Sequence, residues 1–246
     1  MHLSHLRFLA LAVLPAVWLS SSCQTPKSQH VGGWQETMGP VPVDKKVTAF
    51  AMLEEVDLKQ DMIRPGTYGR RYFRPMIVKY ITIHATENPT GDAYQHALAL
   101  KRGALRAPKR KGFNRIGFLT WHFTVQQNVA VQHLPTNEQG EHADFDGPGN
   151  NYSIGIEMCE HHGNSIPMTM DRTTKLAAYL MWEHHVPIEN VVPHYHWRRV
   201  GVSPEHKPCP HFLMDDGHPG PTWEWFRRRV EAQYSRIIPG GPVPRI

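Results

Sequence analysis

The chain has 246 residues, 40% hydrophobic and 20% charged, which is enough apolar material to bury a core and excludes wholesale disorder. Its formal charge of +5, from 27 Lys and Arg against 22 Asp and Glu, falls short of the clustered basic stripe of a nucleic-acid binder, so no nucleic-acid partner is expected. Three cysteines cannot build the disulfide framework of a small secreted scaffold, whereas 17 histidines point toward metal or proton chemistry.

In chain order, Phe8 to Leu19 is an apolar run preceded by Arg7 and followed by Ser20, Ser21, Ser22 and Cys23. Such a run suits the core of a signal peptide and is too short for a bilayer, which takes about 20 apolar residues. Residues 1–22 are therefore read as a signal peptide. The small residues before Cys23 are similar to a bacterial lipobox, with Leu19 one position further upstream than usual. Cys23 is expected to carry a lipid that holds the exported chain on a membrane, and Gln24 fits sorting to an outer membrane, facing the periplasm.

Residues 23–61 are read as anchor and tether, because Gln24 to Pro42 is polar and rich in Gly and Pro. Lys45 to Met62 has apolar residues at irregular helical spacing and is read as a helix. Ile77 to His84, Phe118 to Val125, Val129 to Leu134 and Tyr152 to Cys159 are rich in β-branched and aromatic residues and predict strands. Asp92 to Lys101, Thr169 to His185 and Thr222 to Ile238 predict helices, the first capped by Asp92 or Thr90 and the last with a solvated basic face at Arg227 to Arg229. Strands interleaved with helices predict a single α/β domain over 62–238, with a central mixed β-sheet flanked by helices, followed by a tail at 239–246. A monomer is expected.

Three places carry chemistry: His84 at a strand end, Glu157 within a strand, and Val192 to Phe212, which is dense in His and contains Cys209. Two imidazoles and a thiolate would satisfy a catalytic zinc with its fourth position open. His196, His206 and His211 lie close to His194 in sequence, so spacing alone does not choose among them. Cys209 also reads as a buried thiol or as a disulfide partner of Cys159, and Cys159 as a small core residue. A carboxylate amid Ile154, Ile156 and Met158 needs a strong partner.

The segments KYITIHATEN (79–88), LTWHFTV (119–125), VQHLPTNEQGEHA (131–143), NNYSIGIEMCE (150–160) and PHYHW followed by KPCPHF (193–212) resemble, in order, those of type 2 N-acetylmuramoyl-L-alanine amidases. The resemblance covers about residues 62–214. It implies His84, His194 and Cys209 as zinc ligands, Glu157 and Lys207 as catalytic residues, and Trp121 and His142 as residues lining the substrate groove. It further implies hydrolysis of the amide joining N-acetylmuramic acid to L-alanine in peptidoglycan or a released muropeptide. Cys209 lies 15 positions after His194, a longer loop than in many relatives, and surface loops tolerate such insertions. The rival implied by the same resemblance is a module that binds peptidoglycan without cutting it; such relatives typically lack the cysteine ligand.

Overall fold

The computed structural model describes residues 31–107, 117–240 and 246. The signal peptide, Cys23 and residues 241–245 of the tail lie outside the described residues. In chain order the elements are α1 (Val31–Met38), β1 (Val47–Thr48), α2 (Ala49–Val56), β2 (Leu58–Gln60), β3 (Tyr80–Ala85), α3 (Ala93–Lys101), β4 (Phe123–Gln126), β5 (Val129–Gln132), α4 (Pro148–Tyr152), β6 (Ser153–Met158), α5 (Ile166–His184), β7 (Val191–Pro193), α6 (Pro221–Arg236) and β8 (Ile237–Ile238).

Six strands form one mixed sheet in the order β2-β5-β4-β6-β3-β7, in which only the hairpin β4–β5 is antiparallel; β1 and β8 pair separately. This is the expected α/β architecture. The period of two along each strand sorts side chains between the faces. Ile81, Ile83, Phe123, Val125, Ile154 and Ile156 turn to one face and form the main core with α2, α5 and α6. Thr82, His84, Thr124, Ser153 and Glu157 occupy the alternate positions, so the opposite face is polar although still covered.

The helices follow their sequence signals. Asp92, rather than Thr90, caps α3: its carboxylate accepts from Gln95 N–H at 2.7 Å while the Gln95 side chain accepts from Asp92 N–H at 2.9 Å. Ser165 caps α5, which has Pro167 in its first turn and ends where His185 adopts a left-handed φ of 55°.

Three expectations need correction. Part of the proposed tether is folded: Trp34 on α1 is only 6% exposed and sits edge-on to Phe212, with α1 lying against α5 and α6. Of the Gly and Pro that suggested a linker, Gly32 and Gly33 lie within this helix, and Gly39, Pro40 and Pro42 follow it. Second, Lys45 to Met62 is not a continuous helix. α2 stops at Asp57, whose φ of 50° turns the chain into β2, the edge strand beside β5. The folded unit thus begins well before residue 62. Third, the basic run on α6 is not wholly solvated: Arg229 is 7% exposed, donates to the Gly39 carbonyl and pairs with Asp171. If α1 is integral, Trp34→Ala is expected to cost about 3 kcal/mol or more, read as a lower midpoint in denaturant; a detached tether would leave the midpoint unchanged.

Candidate metal centre

The functional residues converge at the carboxyl ends of β3, β6 and β7, the end of a parallel sheet where loops are free to build a site. Parallel pairing sets His84 beside Glu157 and Glu157 beside Thr124, so these three form one row on the polar face. β7 pairs with β3 and delivers His194 immediately after Pro193. The loop that follows returns Cys209 to β3, where Ala85 N–H donates to its sulfur at 3.3 Å.

One ligand atom each from His84, His194 and Cys209 lies within 4.8 Å of the other two, and all three residues are buried. The hydrogen bonds around them assign the protons. His142 Nε2–H donates to the Ser153 carbonyl at 3.2 Å, so its Nδ1 accepts from His84 Nε2–H at 3.0 Å. His194 Nε2–H donates to the Ala143 carbonyl at 3.2 Å. Carbonyls only accept, so each ring of the pair carries its proton on the outer nitrogen. The two Nδ1 lone pairs then face each other across 3.0 Å. Burial lowers the pKa of His84 and His142 well below the usual value and that of His194 to about 3, so no shared proton relieves this repulsion near neutrality. A cation bound by both rings would. The donor set suits zinc, which takes imidazole and thiolate in a three-ligand site.

Glu157 flanks the trio. One of its oxygens is 3.9 Å from His84 Nδ1; the other is buried with no hydrogen-bond partner among the described residues. Burial pushes its pKa up to about 8, against the opposing charge of Lys207. Burial likewise raises the Cys209 thiol. A nearby divalent cation reverses both shifts, because it favours thiolate and carboxylate together. Lys207 Nζ is held 3.0 Å from Glu87, which sequence reasoning did not single out.

Among the other predicted residues, His142 lines the cavity but is bound on both nitrogens, to His84 and to Ser153. Gly155 makes room for it: a Cβ there would stand 2.8 Å from the His142 ring. Trp121 is on the cavity wall, 5% exposed, with its indole N–H donating to Thr124 at 2.7 Å. The competing histidines are elsewhere. His196 is exposed and lies near Tyr80, His206 stacks on Tyr195, and His211 is 3.4 Å from Glu160. Cys159 is a free, fully buried residue of a small core cluster. His142→Ala is expected to weaken zinc binding 10–100-fold, measured by competition with a chromophoric chelator. Unchanged affinity would show that the bonds from Ser153 through His142 do not orient His84.

The model of the N-acetylmuramoyl-L-alanine amidase family matches residues 74–212, a span that contains every residue named at the metal centre. N-acetylmuramoyl-L-alanine amidase XlyA of Bacillus subtilis (strain 168) is 37% identical over 178 residues, which is 71% of this chain and 51% of XlyA. CwlH of the same organism is 35% identical over 164 residues, 65% of this chain and 58% of CwlH. The structure of the catalytic domain of XlyA matches with a TM-score of 0.56 at 36% identity, covering 71% of this chain and 99% of that domain. The chain thus spans about half the length of the curated relatives it matches. With a family model aligned over more than half its length and a relative's catalytic domain covered to 99% at 36% identity, the chain belongs to the type 2 N-acetylmuramoyl-L-alanine amidase family.

Proposed function

We propose that this chain hydrolyses the amide bond between N-acetylmuramic acid and L-alanine in peptidoglycan, in cell-wall turnover or remodelling, with zinc held by His84, His194 and Cys209. The observation that carries the reading is the pair of opposed Nδ1 lone pairs beside a buried thiol, an arrangement that suits a bound cation. Zinc, when bound, polarises a carbonyl and makes water more acidic. Glu157, which lines the same cavity, accepts a proton from the attacking water and returns it to the leaving amine. Lys207, held by Glu87, lies where it can stabilise the oxyanion as charge develops. Trp121, on the wall, offers an aromatic surface to the substrate. Family membership with the cysteine ligand present favours this over a non-catalytic binding module.

Incubation of purified, zinc-supplied protein with peptidoglycan tests the reading. Release of stems bearing a new free L-alanine amine, abolished by chelator, is the expected result; intact stems despite bound zinc overturn it. The reading includes export and a lipid on Cys23, supported by the apolar run at Phe8 to Leu19 and the small residues before the cysteine. Among the described residues no helix is long and apolar enough to cross a membrane. Mass spectrometry of the mature N-terminus tests the anchor.

A further inference from the structure

The loop between His194 and Cys209 folds back over the metal centre and brings Arg199 to the wall of a cavity of about 300 Å³ that also contains His84, Glu157, His194 and Lys207. The cavity's two cations are in different situations. Lys207 has a carboxylate at 3.0 Å in Glu87. Arg199 has none among the described residues: the nearby Glu205 carboxylate is taken by Arg198, in two hydrogen bonds. Among the described residues Arg199 is anchored through its own loop. Its backbone N–H donates to the Glu205 carbonyl and one terminal nitrogen to the Pro204 carbonyl, each at 2.8 Å, while its Nε is buried with no partner among the described residues.

A cavity-lining guanidinium fixed at one terminal nitrogen, with no carboxylate beside it, keeps donors for a planar anion. Carbonyl anchoring through Pro204 holds its position without neutralising its charge. A site arranged to pair with a charged group of its ligand discriminates strongly against ligands that lack that group, because its own donors are then left unfilled.

We propose that Arg199 is a specificity-determining residue that receives a carboxylate of the stem peptide, on the amine side of the scissile bond. This rests on the amidase reading above and deepens it: the same cavity would prefer stems whose acidic residues are free acids over stems in which they are amidated. The carboxylate can belong to the second stem residue or to a later one, and the two sources are separable.

The test compares kcat/KM for matched muramoyl-peptides. One pair is a dipeptide stem with its second-residue carboxyl free or amidated; the other is a tripeptide stem whose third residue has a side-chain carboxyl free or amidated. Wild-type protein is expected to favour the free acid about tenfold or more in at least one pair, and the pair that responds identifies the source. In Arg199→Gln that preference is expected to fall to within about twofold. Loosening of the loop would slow both members of a pair and leave their ratio intact, so a structural role does not mimic this result. Equal rates for acid and amide in both pairs with wild type, or a preference that survives in Arg199→Gln, overturns the assignment. Failure of wild type to cleave any of the four substrates would instead defeat the amidase reading itself.

Discussion

Replacing Glu157 with glutamine is expected to lower turnover of peptidoglycan by about 10²–10⁴-fold while zinc stays bound at its wild-type stoichiometry. Gln keeps the size of the side chain, and Glu157 is not one of the three converging donors, so the metal centre should survive the change. What is lost is the basic oxygen. One oxygen of this carboxylate is buried without a hydrogen bond among the described residues, an arrangement costly to maintain unless the group serves a reaction. Amine release and metal content measured on the same sample separate the two effects. A Glu157→Gln protein that cuts at the normal rate removes the general-base assignment, and one that loses zinc places Glu157 in the metal shell instead.

Cys209→Ala is expected to act at the earlier step. Even partners one bond removed from a metal are typically worth 10–100-fold in affinity, so loss of a direct ligand should cost at least about 10²-fold and take activity with it. Thermal unfolding gives a readout independent of turnover. Zinc at 1,000 times its Kd stabilises a folded protein that binds it by about 4 kcal/mol, and a chain of this size shifts its midpoint by roughly 2–4 °C per kcal/mol. Wild type should therefore unfold roughly 10 °C higher with zinc than with chelator, and Cys209→Ala should show little difference. An equal shift in both proteins would mean that the ion sits elsewhere.

The sequence was most legible where one residue type had to sit in one environment. β-branched runs marked β3 through β6 because buried parallel strands favour such residues, and the ordered motifs around His84, Glu157, His194 and Cys209 gave the components of the site. The boundary errors have local causes. Asp57 ends α2 in a left-handed conformation that glycine usually signals, so no residue type announced the stop. Trp34 could not be distinguished from a linker aromatic until Phe212, 178 positions later, was brought against it. At the site, the partners that fix His142 and His194 are the carbonyls of Ser153 and Ala143, which every residue possesses and no motif can display. Glu87 escaped notice for a related reason: its value lies in facing Lys207, 120 positions away in sequence, with a φ of 49° that nothing in its residue type predicts.

The in-register pairing of β3 with β6 bears on how the molecule matures. Because strand faces alternate, slipping β6 by one residue would send Glu157 to the apolar side and bring Ile156 or Met158 next to His84. His84 and His194 are 110 positions apart and meet only once β7 has also docked on β3. The metal can be captured at full strength only by a chain whose long-range pairings are both correct. Zinc would then act as a proofreader of topology as well as a cofactor, rewarding the one register that completes its shell, and the supply of the ion in the compartment where the chain folds would set how much protein reaches the mature state.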